Sequence, residues 1–182
     1  MASHALFRPP PTRNEPVREY APGSPERAAL QLRLEQMRGE RIEIPAVIGG
    51  EDVSTGETKP AVMPHDKEHV LADVHQAGAE QVRQAVDVAA AAWEDWSRWP
   101  WEDRAAVFLR AAELLSGPWR DTMNAATMLG QSKTAHQAEI DAACELTDFL
   151  RFNVEYMTRI YSEQPLSSPG VRPPARAPCR AA

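Results

Sequence analysis

The spacing of apolar residues changes at Ala79, and this change divides the chain into a strand-forming part and a helical part. Before Ala79, short runs at residues 58–63 and 70–74 have the length and the flanking turn residues that are typical of strands. After it, apolar residues recur every three to four positions, as on one face of a helix. This order predicts an α+β unit in which short antiparallel strands are followed by four helices.

Local signals mark where the first elements begin and end. Ser24-Pro25-Glu26 places an N-cap, a proline and an acidic residue in the order that opens a helix, and Gly39 is placed to end it. Residues 42–48 predict a strand, and Gly49-Gly50 tolerates the positive φ angles of a tight hairpin turn. The apolar face of the first helix is formed by Leu30, Leu34 and Met37.

The next two helices carry most of the tryptophans. The first has an apolar stripe, ends at Pro100 and is followed by a helix that begins at Trp101. The stripe consists of Val82, Ala85, Val86, Ala89, Trp93 and Trp96; the second helix buries Phe108, Leu109, Ala112 and Leu115. Helical spacing predicts that Trp93, Trp96, Trp99 and Trp101 belong to a helix–helix core rather than to a stacking platform.

Two further helices complete the pattern. Of the four helices after Ala79, the third spans residues 119–129 and ends at Gly130. The fourth runs from near Thr134 to Tyr161. The core side of the fourth is formed by Ile140, Ala143, Leu150, Val154, Met157 and Tyr161. Its apolar surface is widened by Leu146, Phe149 and Phe152, which predicts a partly exposed apolar face that requires partners beyond this chain.

The two ends of the chain differ from the middle in composition. Residues 1–23 are rich in proline and predict an extended or disordered arm. At Pro165 the chain loses all acidic residues, and residues 165–182 contain five prolines and three arginines. Such a segment has too little apolar surface to offset the entropy of ordering, so it predicts a disordered tail.

Charge and cysteine usage exclude several classes of function. The net charge of −6 disfavours nucleic acid as a partner. No apolar run approaches the ~20 residues that span a bilayer, and the N-terminus lacks the apolar stretch of a secretory signal. The two cysteines, Cys144 and Cys179, form no ligand or redox spacing, which predicts a cytoplasmic protein.

Four groups of residues could carry chemistry. A metal could be held by the cluster His65, Asp66, Glu68, His69 and His75, but its Pro-led segment favours a solvated loop. Cys144 could be a nucleophile, although its alanine neighbours favour a buried structural thiol. Residues 130–134 end in Lys-Thr like a phosphate loop, but they lack the preceding strand and glycine, so a helix end and turn is favoured. Acid or base roles are open to Glu139, Asp141, Glu145 and Asp148, most of which are expected on a solvated face.

Several motifs resemble the aldehyde dehydrogenases. The general likeness lies in Ile48-Gly49-Gly50-Glu51, in the helix at 82–96 and in the run Glu102-Asp103-Arg104-Ala105-Ala106-Val107-Phe108-Leu109. Residues 123–134 (MNAATMLGQSKT), residues 137–146 (QAEIDAACEL) and Phe152-Asn153 resemble one branch, the 1-pyrroline-5-carboxylate dehydrogenases. The same branch is resembled in three further places, at Asn14-Glu15-Pro16, at residues 20–27 and at Met63-Pro64-His65-Asp66. The likeness covers residues 14–171.

The resemblance implies a fold of three parts: a Rossmann-like NAD domain, a catalytic domain and an oligomerisation flap. It implies oxidation of L-glutamate γ-semialdehyde to glutamate with NAD, through a cysteine thiolate, an oxyanion-binding asparagine and a glutamate base. Because these groups lie beyond the matching region, neither Cys144 nor Cys179 takes the nucleophile's role. No catalytic, NAD-binding or metal-binding residue is assigned, and Glu145 alone is expected near the aldehyde pocket.

The resemblance also suggests how the chain is divided. Residues 1–23 are an arm, 24–171 are the N-terminal part of the NAD-binding domain, and 172–182 are an unrelated disordered tail, as after a truncation or a slip of reading frame. We therefore expect an N-terminal fragment that is inactive alone and binds no NAD alone, with a homo-oligomer or a complementing dehydrogenase chain as partners. Two alternatives are a non-catalytic binding module that pairs with a full-length or complementary dehydrogenase, and an enzyme of another class that uses the His65–His75 loop or Cys144.

Overall fold

The computed structural model of the chain describes residues 9–163, which form five strands, six α-helices and one π-helical turn. The strands are β1 (Ile42–Ile44), β2 (Ala46–Ile48), β3 (Glu51–Val53), β4 (Thr58–Met63) and β5 (Asp66–His75). The helices are α1 (Pro25–Gly39), α2 (Ala79–Trp96), α3 (Trp101–Ser116), α4 (Arg120–Gln131), α5 (Ala135–Ala138) and α6 (Glu145–Ser162). The π-helical turn, Glu139–Cys144, lies between α5 and α6.

The main sheet has the order β1-β5-β4 and mixes two pairing directions. β4 and β5 are antiparallel, as expected, but β1 pairs with β5 in parallel, with Ile42 opposite Ala72. The prediction of antiparallel strands throughout is therefore wrong for β1. The hairpin β2–β3 and strand β4 separate β1 from β5 in sequence, and this stretch is long enough to return the chain in the same direction.

A separate hairpin, β2–β3, turns at the predicted glycine pair. Gly49 has φ 66° and Gly50 has φ 85°, so both occupy the left-handed region that side chains other than glycine rarely adopt. A Cβ atom on Gly49 would lie 3.1 Å from Cγ1 of Val88, because the tip of the hairpin packs on α2. The hairpin thus depends on glycine for both its turn and its packing.

The first helix forms as its sequence signals predict. Oγ of Ser24 accepts a hydrogen bond from the backbone N–H of Arg27, Pro25 occupies the first turn, and the helix ends on Gly39. Leu30 is buried in a cluster with Tyr20 and Ala125. The remaining predicted face residues, Leu34 and Met37, pack against the same cluster.

The predicted tryptophan core is wrong for Trp93 and Trp99, whereas Trp101 does lie at a helix–helix contact. No residue of α2 is buried, and Trp93 and Trp99 are 42% and 40% exposed. Trp96 pairs with its near neighbour Trp99, at 5.3 Å between ring centroids, whereas Trp101 stacks on Tyr161 at 6.2 Å. The helix contacts β2 through another face, so its apolar stripe has no cover within residues 9–163.

Helices α3 and α6 pack lengthwise against each other. Ala105 and Ala112 are the buried residues of α3, and the guanidinium of Arg104 donates to the hydroxyl of Tyr161 at 2.8 Å. Small side chains at this contact allow the two helices to approach closely. Ala112 was predicted correctly, but Phe108, predicted to be buried, is 42% exposed because it lies away from that contact.

The last predicted helix consists of three successive segments. It begins at Thr134, as expected, where Oγ1 accepts from the backbone N–H of Gln137, but a π-helical turn interrupts it. Because this turn changes the phase of the side chains, Ile140 is 39% exposed rather than in the core. The preceding helix α4 ends at Gln131 with Ser132 in the left-handed region, not at Gly130 as expected. The expected open apolar face is present, with Leu146 37% and Phe149 57% exposed.

The arm has neither helix nor strand over residues 9–21, which fits its expected extended form. The first eight residues and residues 164–182, including the predicted tail at 172–182, lie outside the described residues. No helix within residues 9–163 is both long and apolar enough to cross a membrane. The division into arm, domain part and tail stays a prediction.

Alanine at Gly49 will destabilise the fold by about 1–2 kcal/mol, because it combines a positive φ angle with a close approach to Val88. Urea unfolding followed by circular dichroism measures this loss. Gly39→Ala is the matched control: Gly39 is helical and nothing lies within 4 Å of its added Cβ. An equal loss of stability in both variants would contradict the role of the hairpin turn.

Candidate functional site

The π-helical turn brings side chains five positions apart onto one face. In an α-helix they would point about 140° apart, because each residue advances by about 100°. Here the buried pairs are Ala138 with Ala143 and Glu139 with Cys144, and Sγ of Cys144 lies 3.8 Å from Oε1 of Glu139. The wider turn therefore directs both Glu139 and Cys144 into the protein interior, toward α4.

A buried ion pair joins this turn to α4. Glu139 is 0% exposed and Arg120 is 2% exposed, and Nε of Arg120 lies 3.3 Å from Oε2 of Glu139, with a second, closer contact from Nη2 to Oε1. Nδ2 of Asn124 and the hydroxyl of Tyr20 each donate to Oε2 at 2.8 Å. The backbone N–H of Arg18 donates to Oε1 at 2.7 Å, so both carboxylate oxygens are fully satisfied.

Hydrogen bonding controls the ionisation of this pair. Burial alone would raise the pKa of Glu139, but the bonds from Arg120, Arg18, Tyr20 and Asn124 outweigh it and lower the pKa to about 2. Burial likewise opposes the charge of Arg120, yet its bonds to Glu139 and Glu15 hold its pKa above the ordinary value. Burial, together with the bond to Glu139, raises the pKa of Tyr20. The carboxylate and the guanidinium are thus both charged at neutral pH.

The same cluster ties down the N-terminal arm. Glu15 forms ion pairs with Arg120 and, at 2.7 Å, with Arg151 of α6. The carbonyl of Pro16 accepts from Nη2 of Arg120 at 2.7 Å, and the backbone N–H of Glu15 donates to Asp148 at 2.6 Å. Tyr20 holds φ 53°, which a bulky residue rarely adopts, so the surrounding contacts fix the arm's exit as well.

A cleft of about 550 Å³ lies between the anchored arm and the start of α6. One wall is the arm, and the opposite wall combines carboxylates with three aromatic rings. The lining residues are Asn14, Glu15, Val17, Ile140, Asp141, Cys144, Glu145, Asp148, Phe149, Phe152, Asn153 and Tyr156. A concave site with an apolar lining and a few polar groups is where small molecules bind most often.

The four candidate carboxylates have different environments. Asp141 pairs with Nζ of Lys133 at 2.6 Å, and Asp148 accepts from Asn14 at 2.7 Å. Glu139, expected with most of the others on a solvated face, is instead fully buried, because Arg120 and its neighbours replace water as hydrogen-bond donors. Glu145 is exposed in the cleft and has no hydrogen-bond or salt-bridge partner within residues 9–163.

Cys144 is the buried thiol that its neighbours predicted. It is 5% exposed, and Nη2 of Arg120 lies 3.4 Å from Sγ. Burial and the nearby Glu139 carboxylate raise its pKa to about 11, against the opposing charge of Arg120. A nucleophilic thiol requires the opposite, an exposed sulfur with a lowered pKa.

The histidine cluster and the segment that resembles a phosphate loop do not form a site in the described part of the chain. His65 contacts Ser132 at 2.7 Å, His69 contacts the carbonyl of Arg38 at 2.9 Å, and His75 is buried between Glu43 and the backbone N–H of Thr55. In the described part of the chain no three His, Cys, Asp or Glu residues are placed to hold a metal ion. In the segment that resembles a phosphate loop, Ser132 follows the end of α4 and Thr134 caps α5.

Residues 9–163 do not contain the glycine-rich turn from a strand to a helix that is typical of a Rossmann dinucleotide site. Within residues 9–163 a strand leads directly into a helix only from β5 to α2, where Gly78 is the single glycine. A dinucleotide's pyrophosphate needs several glycines at such a turn, so that the backbone can approach it.

The residues that sequence reasoning missed are Arg120, Tyr20 and Asn124, together with the arm as a wall of the cleft. One available signal was the spacing of Arg120 and Asn124, four apart on the same helix as the small residue Ala125. Polar groups on an otherwise buried helical face usually have buried partners. The partners themselves are 104 residues away in the case of Tyr20 and Asn124, which local patterns do not show.

Comparison with known proteins gives consistent matches. Residues 52–176 match the aldehyde dehydrogenase family. The delta-1-pyrroline-5-carboxylate dehydrogenase of Agaricus bisporus is 48% identical over 90% of this chain and 30% of its own length. The mitochondrial enzyme of that name from Homo sapiens is 45% identical over 86% of this chain and 28% of its length.

A solved structure agrees in fold. The delta-pyrroline-5-carboxylate dehydrogenase from Mycobacterium tuberculosis, bound with NAD and cobalamin, superposes with a TM-score of 0.88 at 47% identity. The match covers 93% of this chain and 32% of that one. The chain therefore spans about 30% of the length of the relatives that it matches.

Glu139→Gln will lower the free energy of unfolding at neutral pH by about 3–5 kcal/mol, because it leaves Arg120 charged and buried without its partner. The pKa of Glu139 is lowered on folding, so its contribution is present above the ordinary value of 4.5 and is lost as the pH falls from there toward 2. Urea unfolding across this range should give a steeper fall in the parent chain than in the variant.

Glu113→Gln provides the control for that measurement. Glu113 forms an ion pair with Arg110 in which both side chains are 68% exposed, so its loss should leave stability essentially unchanged. Equal stability of the Glu139 and Glu113 variants would mean that the buried pair does not hold the arm.

Alkylation of Cys144 by iodoacetamide at mildly alkaline pH will be at least about tenfold slower in the folded chain than in urea, because the thiol is buried and its pKa is raised. Peptide mass spectrometry separates Cys144 from Cys179. A similar rate in both conditions would show that the thiol is accessible and would reopen its role as a nucleophile.

Proposed function

The chain belongs to the aldehyde dehydrogenase family, and we propose that it forms part of an NAD-dependent enzyme that oxidises L-glutamate γ-semialdehyde, the open form of 1-pyrroline-5-carboxylate, to glutamate. The observation that carries this proposal is the identity of 45–48% with pyrroline-5-carboxylate dehydrogenases over 86–93% of the chain. The superposition at a TM-score of 0.88 supports the same assignment.

Glu145 is the residue of this chain that we place nearest to the substrate. It is exposed in the cleft and has no partner within residues 9–163, whereas the other three carboxylates of its segment are engaged. An unpaired carboxylate attracts a cationic group, and the substrate carries an ammonium group. The role of Glu145 is therefore to bind and orient the substrate rather than to transfer a proton.

The ion pair of Arg120 and Glu139 serves this cleft indirectly. It fixes the arm on one side through Glu15 and Pro16, and on the other side it fixes the π-helical turn that leads into Glu145. Both walls are thus set by one buried cluster. Rigid walls keep binding groups in place, which is what an orienting site requires.

Catalysis itself requires groups that residues 9–163 do not provide. Cys144 is buried with a raised pKa, and the β5–α2 turn lacks the glycine-rich pattern of a dinucleotide site. In the whole enzyme, bound NAD would supply the hydride acceptor for the oxidation. We expect the nucleophile, the oxyanion donor and the NAD site to lie in dehydrogenase sequence beyond this chain.

A second candidate function is a non-catalytic module that pairs with a full-length or complementary dehydrogenase chain. The exposed apolar stripe of α2 favours it, because a helix without one buried residue is expected to pack on something else. Self-association into a homo-oligomer is the simpler form of such pairing. The compartment stays a prediction, since the human relative is described as mitochondrial.

The purified chain alone will form no NADH from glutamate semialdehyde and NAD. Residues 1–163 joined to the downstream sequence of the Mycobacterium tuberculosis enzyme should form it at a measurable rate. In that joined form, Glu145→Gln should lower kcat/KM by about tenfold, mainly through KM, because it removes a binding contact. Absorbance of NADH under steady-state conditions gives these constants.

Glu113→Gln removes the same charge from the exposed side of α3 and should leave kcat/KM unchanged. NADH formation by the chain alone would contradict the assignment of the catalytic groups to other sequence. An unchanged KM in the Glu145 variant would remove that residue from the substrate site.

A further inference from the structure

We infer that Asn14, on the N-terminal arm, is a specificity-determining residue of the cleft, where its side-chain amide oxygen accepts a hydrogen bond from the ammonium group of the substrate. This inference rests on the proposed function, in which Glu145 binds the same group. Asn14 lines the wall that the arm forms, and Glu145 lines the opposite wall. One ammonium group is then held from two sides of the cleft.

The partner of the Asn14 amide determines how the amide is oriented. Nδ2 of Asn14 donates to Oδ2 of Asp148 at 2.7 Å, and the backbone N–H of Glu15 donates to Oδ1 of Asp148 at 2.6 Å. A carboxylate accepts hydrogen bonds and does not donate them, so Asp148 fixes the NH2 end of the amide toward itself. The amide oxygen of Asn14 points away from Asp148, and it accepts no hydrogen bond within residues 9–163. Asn14 thus keeps a free acceptor in the cleft.

Helical spacing places Glu145 close to this amide. Residues three apart on a helix are neighbours, so Glu145 and Asp148 lie on the same face of the first turn of α6. Their Cβ atoms are about 5–6 Å apart in such a pair, and Asn14 is one hydrogen bond away from Asp148. Both oxygens of Asp148 already accept from the arm. The acceptors that remain for a ligand are therefore Glu145 and the amide oxygen of Asn14.

Two acceptors of this kind suit a primary ammonium group. An ammonium group has three N–H donors and no acceptor, so a carboxylate and an amide oxygen satisfy it together. A site built to hydrogen-bond an N–H group of the substrate discriminates against an analogue without that group, because its polar atoms are then left unpaired. The ligand class is an aldehyde that carries a primary ammonium group.

The test compares two aldehydes in the joined form, in which residues 1–163 precede the downstream sequence of the Mycobacterium tuberculosis enzyme. Glutamate semialdehyde carries the ammonium group, and glutarate semialdehyde is the same molecule without it. Asn14→Ala should lower kcat/KM for glutamate semialdehyde by about fivefold, mainly through KM, and should leave kcat/KM for glutarate semialdehyde unchanged. Gln84→Ala removes an amide from an exposed position of α2 and should change neither value.

A purely structural role of Asn14 gives a different result. If Asn14 only held the arm, its loss would displace the whole wall of the cleft, and kcat/KM for both aldehydes would fall by the same factor. The ratio of the two kcat/KM values therefore separates recognition of the ammonium group from support of the arm. Tm of the Asn14 variant measures the structural contribution independently.

A second measurement uses the chain alone and requires no turnover. The side-chain NH2 group of Asn14 gives its own pair of peaks in a proton–nitrogen correlation spectrum, and Asn14→Ala assigns them by their loss. Addition of n-butylammonium should shift these peaks, whereas n-butanol, the neutral analogue, should not. In Glu145→Gln the apparent Kd for n-butylammonium should rise at least about fivefold, because the charged acceptor is lost.

Three results would overturn the inference. The first is an equal loss of kcat/KM for both aldehydes in Asn14→Ala, and the second is an unchanged KM for glutamate semialdehyde. The third is a set of Asn14 side-chain peaks that stay in place while the backbone peak of Glu145 shifts with n-butylammonium. If the joined form makes no NADH from glutamate semialdehyde, the proposed function fails. Peaks of Asn14 that still shift with n-butylammonium would then support the ammonium site, and peaks that do not shift would overturn it.

Discussion

The buried ion pair between Arg120 and Glu139 is the interaction on which the other parts of this structure depend. Two charges removed from water are tolerated only when every oxygen and nitrogen finds a partner, and here the arm, α4 and the π-helical turn each supply one or more. The arm has no helix or strand of its own to hold it. Its position, and with it one wall of the cleft, therefore follows from side-chain chemistry at a single buried point.

The π-helical turn is the geometric counterpart of that pair. An α-helical turn would place Glu139 and Cys144 on different sides, and the carboxylate could not reach Arg120 while α6 kept Thr147 and Val154 buried. The wider turn satisfies both requirements at the cost of less favourable helix geometry. Glu145 is the first residue after the turn, so its exposure in the cleft depends on the phase that the turn sets. The π-helical turn thus accounts both for the burial of Glu139 and for the exposure of Glu145.

Sequence reasoning succeeded where the cause is local. Ser24-Pro25 and Gly49-Gly50 act through their own backbone preferences, and both form the cap and the turn that they predict. It failed where the cause is distant. No residue near Glu139 in the sequence predicts its hydrogen bond with Tyr20, which is 119 residues away. The parallel pairing of β1 with β5 is a similar case, because strand composition does not reveal direction. For the site, the resemblance pointed to Glu145, but the cleft's other wall came only from the folded arm.

The tryptophans show a different kind of failure. Their helical spacing was a sound indication of burial, and α2 is amphipathic as predicted, yet Trp93 remains 42% exposed. A hydrophobic pattern on a helix indicates that one face is expected to be buried, but the surface that buries it need not belong to the same stretch of chain. The relatives that share this sequence are about three times as long as this chain. The amphipathic pattern of α2 therefore predicts an apolar face correctly, but it does not predict that residues 9–163 leave this face uncovered.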